Sequence, residues 1–279
     1  MRILAFDSGV GGLSVVAPLF QKFPNLEVHY LGDIANLPYG TKSPERVRNL
    51  TSKNLKWLLN SMQPGPQSGD LCLIACNTAS AEALEASQKE LGAKLPVVGV
   101  IEASCDDAIA HLTRRQNPQN SIAVLATVAT VRSGAYERVL RKKGFTGNIQ
   151  QIACPLFVPF VEEAILEGPA ISWVVDRYLG PKIKPGDSII LGCTHYPYLL
   201  PLLREKFPES HFTQAGEALI NSFDFEKMRT LDSKNPSPSA GTLRITVTDS
   251  NANREQISFF LKQLGMANLS WSLDVIQPL

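Results

Sequence analysis

Along most of the chain, short and nearly continuous apolar runs alternate with longer stretches in which apolar residues recur every three to four positions. The runs RILAF, EVHYLGD, DLCLIACN, PVVGVI, SIAVLAT and SIILGCT are rich in Ile, Val and Leu. Helical patterns follow them in GLSVVAPLFQKF, SPERVRNLTSKNLKWLLNSM, TASAEALEASQKEL, CDDAIAHLTRR, SGAYERVLRKKG and YPYLLPLLREKF. Apolar strands joined by crossover helices predict parallel sheets covered on both faces, an α/β fold. Near the end, LRITVTD reads as a further strand and NREQISFFLKQLG as a further helix. Loops are expected at 60–70, 114–120 and 232–242, the last of them mobile.

A chain of 279 residues suits one large domain or two modest ones. Its hydrophobic share of 44% supports a full core, and a net charge of +1 sets up no field that would draw it to nucleic acid or membrane. No apolar run approaches the ~18–20 residues of a membrane span. The N-terminus, MRILAFDSG, meets an aspartate too early for a secretory signal, so the expected location is the cytoplasm. Five cysteines are too few for a disulfide scaffold and are expected as thiols.

Two of those cysteines share a setting. DLCLIACNTAS and SIILGCTHYP each run from strand to small residue to Cys, then Thr and a helix. Ligands in open α/β sheets bind at the carboxyl ends of strands, where Cys76 and Cys193 fall. A helix start presents free N–H groups and is expected to favour thiolate. Cys72 reads as core, while Cys105 and Cys154 lack a matching context. The turn FDSGVGGLS places Asp7 and Ser8 at a strand tip, with glycines that admit a close ligand. It is neither a dinucleotide fingerprint nor a P-loop. Tyr39 and Gly40, in LPYGTKSPE, are candidates for the same crevice. His195 is a candidate acid or base beside Cys193. These residues leave three chemistries open: proton transfer by two thiols, acyl transfer by one thiol with His195 as base, and a metal site from Asp7, Cys76, Cys193 and His195, for which C-x-H is a weak spacing.

FDSGVGGLSV, LPYGTKSPERV, ACNTAS, ATVATVRSGAYERVL, CPLFVPFVE and LGCTHYP together resemble, in order, the glutamate racemases of the aspartate/glutamate racemase superfamily. The resemblance implies that Cys76 and Cys193 are the catalytic thiols, assisted by Asp7 and His195, with Glu162 in support. It implies substrate contacts from Asp7, Ser8, Tyr39, Gly40, Asn77, Thr78, Thr194 and His195. It implies no pyridoxal phosphate, no other cofactor and no metal, and a role in supplying D-glutamate for peptidoglycan. His195 and Ser80 follow the glutamate rather than the aspartate pattern. Ala103–Ser104 and Gln214–Ala215 depart from the family's pattern. A further possibility is a non-catalytic regulator on the same fold, of the kind that binds DNA gyrase.

Two thiols suit racemisation because a proton leaves one face of the α-carbon and another returns to the opposite face. The expectation is two similar α/β domains, mainly parallel sheets flanked by helices, with the active site in the cleft between them. The first spans 1–98 and 211–279, the second 99–210. The expected partners are glutamate as a small-molecule substrate and a second copy of the chain as a homodimer, with no nucleic acid and no membrane.

Overall fold

The computed structural model describes residues 2–115, 120–222, 241–249 and 254–279. Most of the expected loops 114–120 and 232–242 lies outside the described residues, including the segment expected to be mobile. Ten strands form among the described residues: β1 (Arg2–Asp7), β2 (Glu27–Gly32), β3 (Leu71–Ile74), β4 (Val97–Gly99), β5 (Ser121–Ala126), β6 (Asn148–Ala153), β7 (Ser188–Gly192), β8 (His211–Thr213), β9 (Thr242–Val247) and β10 (Trp271–Val275). They make two sheets, ordered β10-β9-β2-β1-β3-β4 and β6-β5-β7-β8. All strand pairs are parallel. The fold is therefore α/β, with two mainly parallel sheets flanked by helices.

Burial follows the apolar runs. β3 and β7 are buried at every position, and β1 and β5 at all but their first residue. Parallel strands covered on both faces need that continuity. The helix Pro44–Asn60 shows how local sequence sets an end. Ser43 caps it by accepting from the Arg46 N–H, and Pro44 occupies the first turn, where no N–H is required. The stretch SGAYERVLRKKG yields a break: Gly134, at φ 64°, ends the helix Val128–Ser133 and starts Ala135–Lys142. That left-handed backbone favours glycine.

The C-terminal tail returns to the first sheet, where β9 pairs with β2. β8 pairs with β7, so the second sheet runs past the 210/211 boundary expected from the sequence. The Thr213 hydroxyl donates to Asp107 at 2.9 Å, which ties this strand to the helix Ile101–Arg115. The helix Ala215–Ser222 then packs on both Ile101–Arg115 and Leu13–Lys22. A Cβ at Gly216 would stand 2.7 Å from the Val15 carbonyl oxygen, so glycine permits that approach. The departures at Ala103–Ser104 and Gln214–Ala215 fall at this joint. Ser104 is fully buried and donates to the Val100 carbonyl at 2.8 Å. Among the described residues no helix is long and apolar enough to cross a membrane.

Candidate active site

The central strands of both sheets aim their carboxyl ends at one small cavity. Ser8 follows β1, Cys76 and Asn77 follow β3, Thr127 follows β5, and Cys193, Thr194 and His195 follow β7. Tyr39 and Gly40 close it from the loop after β2, with Leu37, Pro38, Thr78 and Val158 completing the wall. The cavity measures about 20 Å³, room for roughly one water molecule. Side chains that follow strands of both sheets leave it little free space. A groove of about 240 Å³ adjoins it and shares Leu37, Pro38, Gly40, Thr127 and Val158 with its wall. A larger groove, of about 880 Å³ beside Tyr198, Leu202 and Phe259, shares none of the cavity's lining and contains no cysteine.

Cys76 caps the helix Asn77–Leu91, its sulfur accepting from the Ala79 N–H at 3.5 Å and donating to Ser8 Oγ at 3.7 Å. The sequence favoured a thiolate here. Instead, burial and then the Asp7 charge push the Cys76 thiol up to about 12, outweighing the Ala79 and Ser8 hydrogen bonds. One capping N–H does not replace the water that burial excludes. Cys193 departs from the shared layout as well. The segment after it begins as a short 3₁₀ turn, Tyr196–Leu199, before the helix Leu200–Lys206. Its partner is a side chain: His195 Nδ1 lies 3.9 Å from the Cys193 sulfur.

His195 is buried and pairs through Nε2 with Glu162 Oε1 at 2.5 Å. Burial disfavours a charged imidazole. The hydrogen bonds to Cys193 and Glu162, with their charges, outweigh it and hold His195 well above the ordinary histidine range. Asp7 stands behind the cavity wall. Its carboxylate accepts from the Gly9 N–H at 2.9 Å and from Thr194 Oγ1 at 3.2 Å. Burial raises its pKa to about 6, against the opposing pull of His195, the Gly9 and Gly12 N–H groups and Thr194.

The cavity brings together Ser8, Tyr39, Gly40, Cys76, Asn77, Thr78, Cys193, Thr194 and His195. Asp7 and Glu162 are one bond removed, reached through Thr194 and His195. Ser80 is not in the lining: its hydroxyl donates to the Ile74 carbonyl at 2.9 Å and accepts from the Val100 N–H at 3.3 Å. Sequence reasoning missed Thr127 and Thr130, whose hydroxyls lie 3.0 Å from Thr78 Oγ1. The strand-end rule that singled out the cysteines applies equally to Thr127, which directly follows β5. Asn77 Oδ1 accepts from Tyr136 OH at 2.6 Å, while its buried Nδ2 has no partner among the described residues. Tyr39 OH is held by Asp33 Oδ2 at 2.6 Å, an anchor that sequence reading also missed. Among the described residues no group of three or more His, Cys, Asp or Glu side chains could hold a metal ion.

The site therefore offers two sulfurs, hydroxyl and amide donors, and a buried histidine paired with a partly buried carboxylate, a set equipped to move protons and hold carboxylates. Comparison with known proteins agrees with this. A family model described as Asp/Glu/Hydantoin racemase matches residues 14–221. The glutamate racemase of Aquifex aeolicus (strain VF5) is 36% identical over 258 residues, 92% of this chain and 92% of that protein. That of Helicobacter acinonychis (strain Sheeba) is 40% identical over 225 residues, 80% of this chain and 83% of that protein. Among solved structures, glutamate racemase from Francisella tularensis subsp. tularensis SCHU S4 in complex with D-glutamate superposes with a TM-score of 0.81. It is 29% identical, with 99% of this chain and 97% of that chain covered.

Proposed function

Because the chain belongs to the Asp/Glu/Hydantoin racemase family and is an amino-acid racemase, we propose that it interconverts L- and D-glutamate by a cofactor-independent two-thiol mechanism. The observation that carries this reading is the small cavity lined by both Cys76 and Cys193, which follow central strands of different sheets. One sulfur takes the α-proton as thiolate while the other, as thiol, protonates the opposite face. Their states exchange at each turnover, and the reverse reaction swaps the roles.

Each thiol has its own assistant. Asp7, at the edge of ionisation near neutral pH, faces the Cys76 side through its charge. His195 faces Cys193 directly and is oriented by its hydrogen bond to Glu162, which stabilises the charged imidazole. The unpartnered Asn77 Nδ2 and the hydroxyls of Thr78, Thr127 and Thr194 receive the substrate carboxylates. They also stabilise the negative charge that develops as the α-proton leaves.

A cavity of about 20 Å³ does not admit glutamate, since small-molecule sites run to roughly 300–1,000 Å³. The halves must part and re-close, and the adjoining groove is the way in. The bonds that part are Ser14 Oγ to the Thr194 carbonyl at 2.7 Å, Thr194 to Asp7, and Thr78 to Thr127 and Thr130. Closure excludes the water that would otherwise quench a carbanion. As part of this proposal we keep two structural units with the site between them, assigning 211–213 to the second. We place the enzyme in D-glutamate supply for peptidoglycan, acting in the cytoplasm as a homodimer.

The test is circular dichroism of purified protein with L-glutamate, D-glutamate and L-aspartate, before and after dialysis against chelator. Loss of the glutamate signal without added cofactor supports the reading. Activity restored only by zinc or pyridoxal phosphate, or equal turnover of aspartate, would sink it.

A further inference from the structure

Deepening that reading and resting on it, we propose that Gln256 is a positioning residue for the proton relay that ends at Cys193. Gln256 stands on the helix Arg254–Gln263, in the returning tail and outside the 14–221 stretch that the family model matches. Its side-chain Nε2 donates to the Glu162 backbone carbonyl at 3.1 Å and to Glu162 Oε2 at 3.3 Å. Glu162 Oε1 is taken by His195 Nε2 at 2.5 Å, and His195 Nδ1 lies 3.9 Å from the Cys193 sulfur. The four residues form one chain of contacts, with the two carboxylate oxygens divided between the imidazole and the amide.

The division matters because Glu162 has little else to hold it. It is the last residue of a six-residue helix, Phe157–Glu162, and its side chain is 21% exposed. The turn that follows contains Ala164 at φ 57°, a backbone state unusual for a residue with a Cβ. A glutamate at a partly open helix end samples several rotamers, and only one delivers Oε1 to His195. Gln256 grips the residue at two points, one on the backbone and one on the far carboxylate oxygen. Its own place is secured by Ile257, Phe260 and Leu261, which bury the helix. The charged and titratable groups that face His195 are Cys193, Glu162 and Asp7. Glu162 is the one of the three whose orientation a tail residue controls.

The experiment uses the full chain with Gln256→Met, which keeps length and helix propensity but removes the donor, and Glu162→Gln, singly and combined. Racemisation is followed from each enantiomer, with melting temperature as a check on folding. Gln256→Met is expected to lower kcat about tenfold, one charge-assisted hydrogen bond's worth of alignment, with KM little changed because Gln256 does not line the cavity. In the Glu162→Gln background the same substitution should cost almost nothing, because its route of action is gone. Wild-type kcat in Gln256→Met overturns the inference, as does an equal loss in both backgrounds, which would mark a purely structural contact. The ¹⁵N shifts of the His195 ring give a readout without turnover: Gln256→Met should move its titration to lower pH, and an unmoved titration also overturns the inference. A wild-type chain that leaves glutamate unchanged refutes the functional reading instead, and the ring shifts still decide whether Gln256 positions the relay.

Discussion

Substituting Gly11 by alanine places one methyl group between the loop after β1 and the segment after β7. Gly11 lies in the turn after β1, yet a Cβ built on it would stand 2.5 Å from His195 Nδ1, 2.6 Å from His195 Cε1 and 2.7 Å from Thr194 Oγ1. All three atoms belong to the segment after β7, so the methyl is a wedge between the two sheets' loops. Ordinary carbon contacts sit at about 3.5–4.0 Å, so either the halves stay apart or His195 retreats. Both outcomes damage the site. The His195–Cys193 contact is already 3.9 Å long and does not survive further separation. Overpacking by a methyl costs about 1–3 kcal/mol. Charged to the closed form alone, that shifts the closure equilibrium by about 5–150-fold, and kcat should fall by up to that factor. The variant should still fold, because the open form relieves the clash. The assay is racemisation at saturating glutamate beside Gly65→Ala, a control with nothing within 4 Å of its Cβ. Gly11→Ala at wild-type kcat would show that turnover does not require the closed arrangement described here.

Three further outcomes follow from the same geometry. Cys76→Ala and Cys193→Ala should each abolish racemisation, while each retains α-proton exchange with deuterated solvent for one enantiomer, opposite in the two variants; ¹H NMR reads this, and exchange into the same enantiomer in both would refute the two-face assignment. Asp7→Asn should stabilise the fold while impairing turnover: the buried carboxyl's folded pKa of about 6 exceeds its free value of 3.8, so the wild-type contribution is favourable below pH 4 and is lost as pH rises through 6. Urea unfolding should show the variant gaining up to about 3 kcal/mol on wild type between those limits and level beyond them; a gain independent of pH would contradict the burial argument. Thr127→Val should reduce kcat/KM by about 5–150-fold, since each buried donor left unpaired costs about 1–3 kcal/mol, with a smaller loss of stability because Thr127 also caps the helix Val128–Ser133; unchanged kcat/KM would remove Thr127 from the substrate's contacts.

What was legible in the sequence was what lies at the centre of each sheet. β1, β3, β5 and β7 are apolar runs because neighbours on both sides leave almost every position buried, while β2 and β9 keep an apolar majority around exposed Glu27, Thr242 and Arg244; of the edges only β4 was legible as well. The strands that escaped notice, β6 (NIQQIA), β8 (HFT) and β10 (WSLDV), are all sheet edges. β6 and β10 are covered less, so they tolerate Gln, Asn and Ser and the apolar signal fades; β8 is mostly buried but is only three residues long, too short to show a pattern. The site shows the same division. Cys76 and Cys193 announced themselves by a shared layout at strand ends. Glu162 came only through the family resemblance, because nothing in FVPFVEEAI marks one glutamate over the next. Gln256 carried no signal at all: its part depends on the tail folding back across the second sheet's loops, a tertiary fact without a local pattern. The thiolate expected at Cys76 failed for a related reason. A helix start is visible in sequence, whereas the burial of Cys76 is not, and burial is the larger effect.

The two halves of the site are chemically unlike, although the reaction proposed for them is symmetric. Cys76 has a hydroxyl, a backbone N–H and a nearby carboxyl. Cys193 has an imidazole backed by a carboxylate and an amide. The two enantiomers of glutamate have equal free energies, so kcat/KM must be the same in both directions whatever the asymmetry of the catalyst. Unlike thiols therefore carry no penalty in overall efficiency. They divide that common value differently between kcat and KM, because the protonation state that receives one enantiomer is not isoenergetic with the state that receives the other. Strengthening one assistant alone stabilises one resting state and slows the direction that must leave it. On the two-thiol mechanism proposed above, the His195–Glu162 pair on the Cys193 side and Asp7 on the Cys76 side are two different solutions to one requirement, that each sulfur give up and regain a proton in a buried site at similar cost.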